Sequence, residues 1–265
     1  TTRLVGSEMC IRDRLWEKRY IMGLLGRLFG FGRPDESIMD ESPNLDSIDL
    51  QKKTCPEMNI YKIRGRHPET KRLRTVRRVA LEPADQEAVI ASSGLYDIQF
   101  CEIEEQELPS ERQINYAIDL GINLSDDYTK EDISCLITRA VHEEDRDDMI
   151  PVDLSLAKMV AEHNICLSIF SGEKRALNAL WFQLSKEEQL KFFIFCIHQN
   201  RLKCHSYDLE HSPYLDYYDR FVEEYKDNES LRRSLSGYVG SDLSLNKKPN
   251  KQRNAYKIAN AFLIK

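Results

Sequence analysis

Between Met58 and Ala80 the sequence places Lys62, Arg64, Arg66, Lys71, Arg72, Arg74, Arg77 and Arg78 against one acid, Glu69. Arginine at this density suits phosphate, because its planar fork bonds two phosphate oxygens at once. Ile60, Tyr61, Ile63, Val76 and Val79 are interleaved with the bases, a pattern that calls for two short strands. A β-ribbon fits the major groove of B-DNA, and Tyr61 and Tyr96 are stacking faces for unpaired bases. The candidate nucleic-acid contacts here are Arg64, Arg66, Lys71, Arg72, Arg74, Arg77 and Arg78.

Internal neutralisation competes with that reading. From Leu81 to Ile150 there are 19 acids against Arg112, Lys130, Arg139 and Arg146. A nucleic-acid surface predicts that Arg72, Arg74, Arg77 and Arg78 form one exposed face. Neutralisation predicts that Glu102, Glu104 and Glu105 lie across from them, and an acidic protein partner is the corresponding alternative ligand. The net charge of −6 averages over these opposed regions, and a partner would meet the local charge instead.

Other constellations are weaker. Asn246 to Lys265 carries six bases and no acid, enough to hold a phosphate near a helix start. Cys196, His198, Cys204, His205 and His211 cluster in sequence, but Cys196 and His198 point to different sides of a helix, which is wrong for a structural zinc site. The acid run from Glu143 to Asp148 lacks the fixed geometry that magnesium demands. No G-x-S-x-G, P-loop or G-x-G-x-x-G is present, so no catalytic, metal or cofactor residues are nominated, and a metal-dependent nuclease is the third and weakest reading.

The elements that must position these residues follow from periodicity and turn chemistry. Asn59 to Gly65 and Leu73 to Leu81 read as strands around a turn at His67-Pro68. Pro83 suits the first turn of a helix running to Ser93 and stopped by Gly94, and Tyr96 to Ile103 is a third strand. From Pro109 the period becomes 3.6. Ser110 with Gln113, Thr129 with Asp132, and Ser185 with Glu188 are N-terminal boxes; Asp153, Ser171, Ser212, Asn228 and Asn250 are further cap candidates. Ile114, Ala117 and Ile118 are expected to form one buried stripe, and Ile133, Leu136, Ile137, Ala140 and Val141 another. The helix through Phe192 to Ile197 is apolar almost all round and belongs at the centre of a bundle. The fold class is α+β: a small ββαβ unit, a helical pair and an all-α C-terminal bundle.

Within the pair, Gln113-Ile-Asn-Tyr-Ala in the first helix, Leu120-Gly121-Ile122 at the break, and Thr129-Lys130 leading to Ile133, Leu136-Ile137 and Arg139 resemble a SAP/HeH helix–extended-loop–helix module over residues 109–141. The resemblance implies DNA contact from the loop and second helix, which adds Lys130 and Arg139 to the candidates. The segment departs from the pattern in charge, with six acids against three bases, and acid repels phosphate. Docking or spacing is the competing use of the pair.

The first residues stand apart. Leu4 to Asp13 resembles the conceptual translation of a sequencing adaptor, and the native start is expected at Met22. Residues 22–33 combine Leu24, Leu25, Leu28 and Phe29 with four glycines and read as a frayed terminus; residues 34–56 are polar and read as a linker. The expected segments are 1–21, non-native; 22–57, flexible; 58–106, sheet unit; 107–148, helical pair with acidic linker; and 149–265, bundle. Hydrophobic residues at 41% and charged residues at 31% are globular proportions. The longest apolar run, Phe192 to Ile197, is far too short to span a bilayer. Seven scattered cysteines read as reduced thiols, so the cytoplasm is the expected compartment. Together these readings predict a nucleic-acid-associated accessory protein, with DNA favoured over RNA.

Overall fold

The structure is a computed structural model describing residues 51–141 and 149–264. The expectations for residues 1–50 and for the acid run 143–148 lie outside the described residues. Residues 49–265 make one compact unit. It is α+β, with a three-stranded antiparallel sheet ahead of a helical array.

β1 (Met58–Arg66) and β2 (Leu73–Leu81) form the expected hairpin, in continuous register from Met58↔Leu81 to Arg66↔Leu73. Helix α1 (Gln86–Ser92) and β3 (Tyr96–Ile103) complete the unit, and β3 returns to pair with β1, giving the order β2-β1-β3. Alternation along β1 sends its two sets of side chains to opposite faces. Tyr61 and Ile63 pack with Val89 of α1, while Met58, with Val79 and Leu81 of β2, joins the bundle core. The sheet is thus clasped on one face by its own helix and, at its base, on the other face by the bundle.

α1 starts later than Pro83 suggests. The Glu82 carboxylate accepts from Tyr61 Oη at 2.8 Å, Asn59 Nδ2 at 3.0 Å and Ala84 N at 3.1 Å, which pins residues 82–84 to the sheet. Asp85 then caps the helix through Glu87 N. Gly94 ends it at φ +67°, a conformation costly for any side chain with a Cβ.

The helical pair is α2 (Glu111–Asp119) and α3 (Lys130–Val141), around a cluster of Ala117, Ile122, Ile133, Cys135, Leu136, Ile137 and Phe170. Both predicted boxes form: Ser110 with Gln113, and Thr129 with Asp132. The stripes are only partly buried. Ile118 stands 57% exposed because α2 meets its neighbour along a narrow line through Ala117, and Val141 is exposed at the end of α3.

The bundle comprises α4 (Leu154–Glu162), α5 (Glu173–Gln183), α6 (Lys186–Leu202), α7 (Leu215–Tyr225), α8 (Glu229–Leu235) and α9 (Asn254–Phe262). α6 is central, with Phe192 to Ile197 all buried. Aromatic rings from other segments meet it: Tyr238 against Phe193 at 5.5 Å, and Tyr218 against Phe195 at 5.8 Å, both edge-on. Asp153, Ser185 and Asn228 cap as expected. Ser171, Ser212 and Asn250 do not, because tertiary or turn partners claim them. The Ser171 hydroxyl faces Cys135 Sγ at 3.6 Å, Ser212 Oγ accepts from Tyr214 N, and Asn250 Oδ1 accepts from Gln252 N. α5, α7 and α9 consequently begin at Glu173, Leu215 and Asn254.

Two polar features organise the bundle. Glu173 is buried at 2% exposure and accepts from Tyr207 Oη at 2.6 Å, Ser244 Oγ at 2.8 Å and Asn246 Nδ2 at 2.9 Å. A buried carboxylate is tolerable when hydrogen-bonded in this way, and here it ties two loops to the start of α5. The predicted linker fails at its C-terminal end for a similar reason. Thr54 N and Cys55 N donate to Ile169 O, and Val152 N donates to Thr54 O, so this stretch is stitched into the fold.

Two predictions follow from this packing. Phe193→Ala is expected to cost about 3–5 kcal/mol in denaturant unfolding, the usual cost of emptying a filled aromatic site. His198, with Nδ1 2.9 Å from Tyr218 Oη, is held below its ordinary pKa by burial and then by Arg201. The fold favours its neutral form, so its contribution is complete above 6.5 and is lost as pH falls below that. His198→Gln should flatten that part of the stability–pH curve measured by thermal melting.

Candidate nucleic-acid interface

Residues paired across an antiparallel ladder share a face. Lys62 opposes Arg77 and Arg64 opposes Thr75 on the face whose base meets the bundle. Tyr61 opposes Arg78 and Gly65 opposes Arg74 on the face covered by α1. The strand pleat therefore divides the arginines, and the single basic face expected of Arg72, Arg74, Arg77 and Arg78 does not form. The bases instead straddle β2, which is an edge strand.

Part of the charge is answered within the sheet. Arg77 pairs with Glu104 at 2.6 Å and Arg66 with Asp97 at 2.9 Å, while Glu102 stands opposite Lys62 in the β1–β3 register. Two of the three predicted acids, Glu102 and Glu104, thus lie on the basic face. Arg78 is a brace: its Nε donates to Ser92 O at the end of α1, where the helix dipole favours a cation. Arg66 is a second brace, since its Nη1 also donates to Lys71 O across the turn. The turn itself is closed by His67 N to Arg72 O at 3.0 Å and Lys71 N to His67 O at 2.9 Å. Lys71 Nζ lies 5.2 Å from the centre of the Tyr96 ring. Arg64, Arg72 and Arg74 are exposed and make no ion pair or side-chain hydrogen bond among the described residues.

Gly65 fits the sheet where β3 is irregular. A Cβ there would come within 2.8 Å of Ile98 Cδ1 and 2.9 Å of Tyr96 O, so the close approach of β3 to β1 needs a glycine.

Three expected contacts are corrected by burial or pairing. Arg139 is 4% exposed; it donates to Lys52 O at 2.9 Å and to Thr54 Oγ1 at 2.5 Å. It anchors residues 52–54 to α3 and is not on the surface. Tyr61 is 6% exposed, its hydroxyl committed to Glu82, and offers no stacking face. Arg253 of the basic tail pairs with Asp242 at 2.9 Å and lies over the Tyr238 ring at 4.1 Å. Lys130 remains exposed, paired with exposed Glu107 at 2.6 Å. Tyr96 remains accessible at 41%.

The late cysteines and histidines do not converge. Cys196 is fully buried, which pushes its thiol well above its ordinary value, whereas Cys204 is exposed. Among the described residues no group of three His, Cys, Asp or Glu side chains is placed to hold a metal ion, and no helix is long and apolar enough to cross a membrane. Compared with family models, curated proteins and solved structures, the chain matches none.

Arg139→Ala should lower stability by about 1–3 kcal/mol, because it removes a buried guanidinium whose bonds fasten Lys52 O and Thr54 Oγ1 to α3. Arg64→Ala, Arg72→Ala and Arg74→Ala should each leave stability within about 0.5 kcal/mol, as befits exposed sites. Parallel chemical denaturation of the four variants checks the contrast.

Proposed function

We propose that this chain is a non-enzymatic, nucleic-acid-associated accessory protein whose hairpin contacts the phosphate backbone, of DNA in preference to RNA. The observation that carries the reading is the trio Arg64, Arg72 and Arg74: exposed, at the far end of the hairpin, and without an ion pair among the described residues. A guanidinium in water gains little from a distant carboxylate, but it gains from a phosphate whose counterions it releases. Arg77 is exposed and adds to the positive potential of the surface, although its half-buried partner Glu104 offsets part of that charge. Arg66, Lys71 and Arg78 set the shape of the tip and contribute long-range potential.

The SAP/HeH-like pair supports the same reading at one position, Lys130, which is exposed and pairs with exposed Glu107. The bundle serves assembly. A second reading is favoured by one observation: β2 is a sheet edge lined with bases. An acidic extended peptide could add to it as a further strand.

Fluorescence anisotropy with labelled nucleic acid across a salt series tests the proposal. Binding should weaken linearly in log salt, and the Arg64→Ala/Arg72→Ala/Arg74→Ala variant should reduce the slope by about 2–3, at 0.7–0.9 per phosphate contact. Binding that is absent at low salt, or unchanged in the variant, refutes it and leaves the peptide reading.

A further inference from the structure

Resting on that reading, we infer that the hairpin tip takes a single strand of nucleic acid, with the backbone leaving the β2 edge and crossing the tip so that a base stacks on Tyr96 of β3. The sheet argues against insertion into a duplex. β3 pairs with β1 as far as Arg66↔Tyr96, so the hairpin is not a free two-stranded ribbon even at its tip. Three strands span about 10 Å between the outer axes before any side chain is added. The major groove is about 12 Å wide and accommodates two strands. Helix α1 on one face thickens the unit further.

The distribution of charge points the same way. Arg64 lies on one face of the pleat and Arg74 on the other, with Arg72 at the turn beside the edge strand. A duplex resting on either face would leave part of the trio unused. Arg72 and Arg74 lie at the β2 edge and Arg64 one strand in, opposite Thr75, so a flexible backbone bending around the tip can meet all three where a rigid duplex cannot.

The tip also carries more than charge. Across the three strands, Leu73, Arg66 and Tyr96 occupy paired positions, and Leu73 and Tyr96 are 40% and 41% exposed. Phosphate contact needs neither side chain. An unpaired base needs an accessible π-face near a cation: Tyr96 is 41% exposed, and Lys71 Nζ, which lies over its ring at 5.2 Å, gives way to the base or flanks it from the opposite face. Arg66 is the positioning residue: its bonds to the Asp97 carboxylate and to Lys71 O tie the start of β3 to the turn.

The test uses the full chain with labelled oligothymidylate, oligouridylate and a duplex of equal length. Single strands should bind about tenfold tighter than the duplex, and Tyr96→Leu should weaken single-strand binding by about tenfold, the scale of one lost base stack. The salt slope should not change in that variant, because stacking releases no counterion. Tyr96→Trp should retain or improve binding, and an unchanged melting temperature shows that the loss in Tyr96→Leu is not unfolding. A preference between the thymidylate and uridylate arms assigns the strand to DNA or RNA, and either preference supports the inference. A duplex that binds as well as the single strands, or a silent Tyr96→Leu, overturns it while leaving phosphate contact by Arg64, Arg72 and Arg74 standing. Absence of binding to all three probes overturns both.

Discussion

The central position of β1 governs the rest of the structure. Because β3 returns to pair with β1 and not with β2, the strand carrying Arg74, Arg77 and Arg78 is left at the sheet edge. The same position gives β1 two cores to serve. Tyr61 and Ile63 fill the space under α1, and Met58 joins the bundle core, so the hairpin's root is fixed while its tip stays in solvent. Gly65 permits this arrangement by letting β3 approach where a side chain would collide with Ile98 and the Tyr96 carbonyl.

A basic edge strand has a purely structural explanation as well. Unpaired strand edges invite association, and charge discourages it. Positive charge spread along the edge would satisfy that need, but it does not require an exposed tyrosine and leucine at the tip. Nor does it require the bonds by which Arg66 ties the turn to β3. Those features organise a surface, and they support reading the tip as a binding element.

Much of the architecture was legible because its signals are local. Ser110 with Gln113 and Ser185 with Glu188 form their boxes within one turn of helix, from residues close in sequence. The near-continuous apolar run of α6 could be satisfied only at the centre of a bundle. Where a tertiary partner or a competing local turn claims a side chain, sequence patterns misled. Ser171 and Ser212 look like caps until Cys135 and the turn at Tyr214 claim their hydroxyls. Arg139 sits in the last turn of an amphipathic helix, the usual place for a surface cation, and the path of residues 52–54, distant in sequence, helps to bury it. The three-way ligation of Glu173 carried no sequence signal, since a glutamate in the first helical turn is ordinary. The basic hairpin itself was visible as composition, but the division of its arginines between two faces depends on register, which composition does not contain.

The most direct test of phosphate contact at the edge follows the arginine Nε–H signals of the intact protein by NMR during titration with oligothymidylate. The account predicts that Arg64, Arg72 and Arg74 shift together and saturably, while buried Arg139 does not move. Shifts confined to the C-terminal basic segment or to the helical pair, or no saturable shift at all, would contradict it.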